Sequence, residues 1–269
     1  MKAVGYTESL PIDDPKSLQD VELPQPAAEG RDLLVRVRAI GVNPVDFKVR
    51  QRAAAEPGET KVLGWDAVGE VVATGEAASL FAPGDQVYYA GDVTRQGSNA
   101  EYQIVDERIV GRKPASLNDA EAAALPLTTI TAWEMLFDHL GLEQQPPEEI
   151  SPTDDVILVV GAAGGVGSIL IQLAKTLTGA TVVATASRPE SRQWVESLGA
   201  DFVVNHREPL LPQIEQLVSD GKIAPITHVA SLNATDQYFD DYVAALRPFG
   251  RIAMIDDPVS LDVMKIKPK

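Results

Sequence analysis

The feature that most constrains this chain is an apolar run that ends in a cluster of glycines. Val156-Ile157-Leu158-Val159-Val160 leads directly into Gly161-Ala162-Ala163-Gly164-Gly165-Val166-Gly167, and a helical pattern from Ser168 to Leu177 follows. Glycines here permit a tight turn and a close backbone approach to a pyrophosphate. The helix start then offers free N–H groups and the positive end of the helix dipole. The spacing departs from G-x-G-x-x-G by one extra Ala, and a glycine turn can also serve helix–strand packing alone. The context favours dinucleotide binding, because the same strand–helix alternation continues to the end of the chain. Strands are expected at 156–161, 181–186, 201–204, 226–232 and 251–256, and helices near 165–178, 189–198, 208–220 and 235–246. The strands are continuous apolar runs, the pattern of a parallel sheet covered by helices on both faces.

The second of these strands ends in Ser187-Arg188, with Arg192 one helical turn further on. An NAD site usually places Asp or Glu here for the ribose 2′-hydroxyl. A hydroxyl and a cation suit a 2′-phosphate instead, through charge-assisted hydrogen bonds, so NADP(H) is favoured over NAD(H). The alternative is a set of solvated arginines at a helix start. Ser231-Leu232-Asn233 and Ile255-Asp256 follow the fourth and fifth strands, at the sheet edge where ligands collect. Ser231 and Asn233 are expected to border the nicotinamide ribose, with Ile255 beside them.

Residues 1–110 have a different grammar. Leu33–Ala39, Ala67–Ala73, Gln86–Ala90 and Glu101–Val105 read as short strands separated by Gly/Pro turns, a compact β-rich unit. Helical period appears at 120–124, capped by Asn118 or Asp119, and again at 131–137. The acidic segment 144–149 reads as an exposed connector. The 269 residues suffice for about two domains, here 1–118 and 119–269.

The 23 basic and 39 acidic residues give a net charge of −16, a field that repels nucleic acid. No run approaches the ~20 apolar residues of a membrane helix, and the start MKAVGYTESLPIDD lacks the pattern of a secretion signal, so a cytoplasmic protein without a membrane partner is expected. There is no cysteine, which removes disulfides, thiolate catalysis and cysteine-based zinc sites. His139, His206 and His228 are scattered and read as structural or surface residues.

The motifs Gly41-Val42-Asn43-Pro44-Val45-Asp46-Phe47-Lys48, Leu63-Gly64-Trp65-Asp66-Ala67-Val68-Gly69, Pro83-Gly84-Asp85-Gln86-Val87, Leu125-Pro126-Leu127-Thr128, Thr131-Ala132-Trp133 and Gly161–Gly167 span nearly the whole chain. Together they resemble the medium-chain dehydrogenase/reductase superfamily, in its zinc-free quinone oxidoreductase branch. The resemblance implies an α/β chain: a GroES-like catalytic domain followed by a Rossmann doubly wound parallel sheet. In zinc-binding relatives a Cys falls at the position of Asn43 and a His at that of Trp65, and 91–99 would carry the structural zinc lobe. No metal is expected. Family members continue past the fifth strand with a last strand, a subunit-pairing strand and a return into the catalytic domain. This chain ends at Lys265–Lys269 and resembles a C-terminally shortened version. It is expected to bind nucleotide but turn over slowly, and the homodimer typical of the family is put in question.

Without a Lewis acid, the feasible chemistry is hydride transfer to an already activated acceptor, a quinone or an α,β-unsaturated carbonyl. The protein supplies position and hydrogen-bond donors for the developing oxyanion. Asn43 is the candidate donor, Lys48 the group that stabilises or protonates an enolate, and Asp46 an orienting residue. The alternatives are a turn role for Asn43 before Pro44 and an exposed Asp46–Lys48 ion pair. Trp65 is an apolar wall or core. Thr128 and Thr131 flank the nicotinamide or cap a helix. The expected activity is an NADPH-dependent reductase. A nucleotide-binding, non-catalytic sensor or scaffold is the alternative, and a zinc alcohol dehydrogenase a distant third.

Overall fold

Alternating burial along Val35–Ile40, after a fully buried start at Leu33 and Leu34, organises the first part of the chain. In the computed structural model, which describes residues 1–267, two compact units form, Met1–Leu127 and Thr128–Lys269. The final residues 268–269, part of the terminus discussed above, lie outside the described residues.

The first unit contains β1 (Lys2–Tyr6), β2 (Gln19–Glu22), β3 (Asp32–Ile40), α1 (Pro44–Arg52), β4 (Lys61–Val62), β5 (Ala67–Thr74), β6 (Gln86–Tyr89), β7 (Tyr102–Asp106), β8 (Gly111–Arg112) and α2 (Asp119–Ala123). An antiparallel sheet runs β7-β3-β5-β6-β8, and a smaller one runs β2-β1-β4. Leu33, Val35, Ala67, Val71, Val87, Tyr89 and Val105 share one buried face. This is the period-2 pattern read from the sequence. α2 lies against β3 and β5 and so belongs to this unit. Its cap is Asn118, whose side chain accepts from the Glu121 N–H.

α1 escapes a periodicity reading. Its apolar face is slight, Val45 and Val49 half-buried against the Tyr6, Leu63 and Trp65 cluster, and the residues it buries are charged, Asp46 and Arg50. What starts it is local: Pro44 in the first turn and Asn43 in extended conformation as the cap.

α3 (Pro126–Trp133) begins at the end of the first unit and runs into a wider π-helical turn, Glu134–His139. The expected helix over 131–137 therefore starts earlier and changes its winding midway. The second unit continues with β9 (Val156–Val160), α4 (Gly165–Leu177), β10 (Thr181–Thr185), α5 (Pro189–Ser197), β11 (Phe202–Val204), α6 (Leu210–Ser219), β12 (Ile226–Ser231), α7 (Thr235–Ala245) and β13 (Leu246–Met254). The sheet is parallel, in the order β11-β10-β9-β12-β13. Ile157 and Val159 pack towards Leu170, Ile171 and Ala174 on one face. Val156, Leu158 and Val160 pack towards Ile214, Phe239 and Tyr242 on the other. Both faces are dry, so the strand has no polar position. Full burial contributes roughly 1.5–3 kcal/mol for each such side chain.

The strand order reverses between β9 and β12, which places a crevice at their carboxyl ends. Only the last strand differs much from expectation. β13 starts at Leu246, paired with Ile226, and the register then jumps so that Arg251 faces His228. Arg247–Gly250 bulge between these pairings, and Phe249 takes φ 63° with the residue 95% exposed.

Candidate functional site

In the second unit the glycine segment leaves β9 through Gly161, at φ +77°. A Cβ there would sit 2.7 Å from Asn233 Oδ1, so the turn and the loop after β12 meet closely. The Gly161 N–H donates to Thr185 Oγ1 at 3.2 Å, and the Gly164 N–H to the Gly161 carbonyl at 3.0 Å. Gly164 and Gly165 are exposed at the start of α4, whose first N–H groups have no carbonyl one turn back. Gly167 has another task. It is buried, and a Cβ would lie 2.4 Å from the Ala162 carbonyl oxygen, so it lets α4 pack on its own loop.

A cavity of about 390 Å³ opens here, lined by Gly161, Ala163, Gly164, Ser187, Arg188 and Asn233 among the expected residues, and by Thr185, Ser191, His206 and Arg207. Among the described residues no carboxylate lines it. Ser187 Oγ and His206 Nε2 are 3.1 Å apart. Burial, and then the charges of Arg207 and Arg188, holds the His206 ring below its ordinary pKa. Sequence reasoning missed His206 and Arg207. Their signal is position alone, since they follow β11 at the same sheet edge as Ser187 and Asn233. The glycine cradle and the acid-free, cationic wall make this a cavity suited to an anionic group.

Other expected cofactor residues lie elsewhere. Val166 opens α4 beside the loop but is not part of the cavity wall. Arg192 aims at the carbonyls of Ala186 and Val203, at 3.5 and 3.4 Å. Ser231 corrects the sequence reading: it is fully buried, and its hydroxyl meets Thr235 Oγ1 at 2.7 Å and the Tyr242 hydroxyl at 3.1 Å. Its side chain faces the core, not a ribose. Thr235 is in turn held by Asp256, through its N–H at 2.8 Å and its hydroxyl. Thr128 is buried with its methyl near Gly165. Ile255 and Thr131 share a separate recess with Glu134 and His139.

In the first unit the cap of α1 carries the polar chemistry. The Asn43 N–H donates to Asp46 Oδ2 at 2.7 Å, a capping-box contact. Asn43 Nδ2 donates to Asp66 Oδ2 at 2.9 Å, and the Leu127 N–H donates to Asp66 Oδ1 at 3.1 Å. Asp66 is 1% exposed. Burial, with a contribution from the charge of Asp46, pushes its carboxyl up to about 6, while the bonds from Asn43 and Leu127 oppose the shift. Burial also raises Asp46. Asp46 is too enclosed for an exposed ion pair, and Lys48 is half-buried. Trp65 is core, fully enclosed with Tyr6 and Leu63, its Nε1–H given to the Asp92 carbonyl at 3.0 Å. It therefore forms no wall of a substrate pocket. Asp66 was quoted within a motif but assigned no role; its partners lie 23 and 61 residues away.

Two family models match the chain. The alcohol dehydrogenase GroES-like domain covers residues 29–115, and the zinc-binding dehydrogenase domain covers 165–266. A zinc-type alcohol dehydrogenase-like protein of Staphylococcus aureus (strain MRSA252) is 39% identical over 270 residues, covering 99% of this chain and 78% of that one. The crystal structure of a Rhizobium etli CFN 42 protein, provisionally classed as a zinc-dependent alcohol dehydrogenase, superposes with TM-score 0.92 at 48% identity, over 100% of this chain and 76% of that one. The chloroplastic NADPH-dependent alkenal/one oxidoreductase of Arabidopsis thaliana is 38% identical over 215 residues, 77% of this chain and 52% of that protein.

The zinc in three of these names does not fit the residues present. Asn43 turns an amide nitrogen towards Asp66, and the Trp65 indole is buried with its N–H engaged. Among the described residues, no three His, Cys, Asp or Glu side chains are grouped to hold a metal ion. With both domain models matched in order and the relatives aligned along nearly its whole length, the chain belongs to the medium-chain dehydrogenase/reductase superfamily of oxidoreductases, in the zinc-free branch among proteins called zinc-type alcohol dehydrogenase-like.

Proposed function

We propose that this chain is an NADPH-dependent reductase of α,β-unsaturated carbonyls or quinones that works without a metal. The observation that carries the reading is the cavity at the glycine loop, where Ser187, Arg188, His206 and Arg207 stand and no described carboxylate does. A 2′-phosphate gains charge-assisted bonds there, whereas a bare ribose hydroxyl would lack an acidic acceptor. The name of the Arabidopsis relative supports both the cofactor and the acceptor class.

Bound NADPH would supply a hydride to the electrophilic carbon of the acceptor. The charge that then moves to oxygen needs a hydrogen-bond donor and a proton. Asn43 Nδ2 offers a hydrogen bond to that oxygen, and Lys48 lowers the energy of the enolate and supplies or relays its proton. Val42 and Phe47, 81% and 50% exposed on either side of Asn43, suit an apolar acceptor. Consumption of NADPH and of NADH with a panel of enones and quinones tests the reading. Turnover with NADPH, weak with NADH and insensitive to chelators, is expected. No turnover with any acceptor, or equal use of both nucleotides, would overturn it.

A further inference from the structure

We infer that Asp66 is a positioning residue for this reduction, holding the Asn43 carboxamide so that its second Nδ2 hydrogen is presented to the substrate oxygen. The inference rests on the reductase reading above, and its observation is geometric. A carboxylate on the residue just before β5, 1% exposed, receives two donors on its two oxygens: Asn43 Nδ2 at 2.9 Å and the Leu127 N–H at 3.1 Å.

An asparagine on its own is a poor oxyanion donor, because its amide can turn over and present its oxygen instead. The bond to Asp66 removes that freedom. Only the nitrogen end can face a carboxylate, which has acceptors and no donor. With one Nδ2 hydrogen fixed inward, planarity of the amide fixes the direction of the other. The backbone of Asn43 is pinned as well, since its N–H is given to Asp46 Oδ2 at 2.7 Å. Donors set in advance in this way cost no reorganisation when charge develops. Asp66 does not need to touch the substrate, and its near-complete burial fits action through a neighbour. Asp46, on α1, is the charged group that faces it. No account of α1 capping requires Asp66, because Pro44 and Asp46 already start the helix.

The isosteric change Asp66→Asn is the probe. It leaves one acceptor where two donors converge, so either Asn43 or Leu127 then meets an N–H. The expected result is a fall in kcat of about ten- to a hundredfold, smaller than the roughly 10²–10³ lost when an oxyanion donor is removed outright, because the amide is misaligned and not deleted, with the KM for NADPH unchanged. In an Asn43→Ala background the same change should cost nothing further, since its only route to the reaction is gone. An unchanged kcat in Asp66→Asn, or losses that simply add in the double variant, would overturn the proposal.

A second measurement separates this proposal from the reductase reading. In the free protein, the side-chain amide of Asn43 should give two distinct proton signals that do not average. Both should be lost or shifted in Asp66→Asn, while the Gly164 and Gly165 amides stay in place. Absence of any enone or quinone turnover in the wild type would overturn the reductase reading and leave these signals to be observed. A freely averaging Asn43 amide in the wild type would overturn the positioning role, even if Asp66→Asn fails to fold.

Discussion

The glycine loop of the second unit and the Asn43 cluster of the first are built by opposite means. The loop is almost all backbone: four glycines, an exposed helix start and a turn at φ +77°. Its own internal contacts, Gly164 to Gly161 and Gly167 to Ala162, are local and made by backbone. The Asn43 cluster is made of side chains, with bonds that span 23 and 61 residues. A backbone site is specified by where side chains are missing. A side-chain site needs the whole sheet to be folded before its parts meet. The first kind fails when anything is added, and the second when a single polar atom is exchanged.

The largest effect is expected where addition meets backbone. Gly167→Val would place a Cβ 2.4 Å from the Ala162 carbonyl oxygen. Overpacking against a fixed carbonyl costs about 3 kcal/mol or more. Melting should drop by roughly 6–12 °C, and nucleotide binding should fall with it. A loop that tolerates valine here would break the contrast.

Asp66 provides the matching test in the first unit. Its folded pKa is raised from 3.8 to about 6, so the protonated form is the one favoured by folding. This group therefore contributes stability in full below pH ~4, and the contribution is lost as pH rises through about 6. The loss amounts to at most about 3 kcal/mol. Denaturant titrations from pH 4 to 8 should show the stability of the wild type falling relative to that of Asp66→Asn across that window. A difference between the two proteins that stays constant from pH 4 to 8 would show that this carboxyl does not carry the shift.

Arg188→Ala is expected to weaken NADPH about ten- to a hundredfold, the loss of one charge-assisted bond of roughly 1.5–3 kcal/mol, and to leave NADH nearly unchanged. Nucleotide titration by fluorescence measures both. Equal loss for the two would place Arg188 outside the phosphate site. The smallest effect sharpens the contrast from the other side. Thr185→Val removes the one side-chain acceptor of the Gly161 N–H, and should cost about 1 kcal/mol in stability or nucleotide affinity. A larger cost would mean that the loop depends on side chains more than its glycines suggest.

What could be read in advance follows the same division. The parallel sheet was legible because strands dry on both faces have one composition, and its helices were found to within two residues at most ends. β13 was misplaced because the bulge at Arg247–Gly250 depends on pairing with β12, not on local preference. α1 was hidden because it buries Asp46 and Arg50 and has only a slight apolar face. Arg188 and Asn233 could be expected from their place after a strand. Ser231 occupies an equally suggestive place, yet Thr235 and Tyr242 claim its hydroxyl from positions that no spacing rule connects to a ligand. Trp65 was a coin-toss between wall and core, decided by Tyr6, Leu63 and the Asp92 carbonyl. Asp66 drew no attention because its meaning lies in two partners distant along the chain.

The row Asp256–Thr235–Ser231–Tyr242 has a consequence for how the second unit breathes. It ties the second residue after β13, the start of α7, the end of β12 and a later turn of α7 into one chain of polar groups, buried but for Asp256. Opening any link exposes the others, so the amides of Thr235 and Ile255, bonded to Asp256 and to the Ser231 carbonyl, should give up their protons to deuterated solvent together and slowly. A few residues away, Arg247, Phe249 and Gly250 lie in the bulge, outside the regular ladder, and should exchange orders of magnitude sooner. One strand would thus hold both the slow and the fast clocks of the sheet.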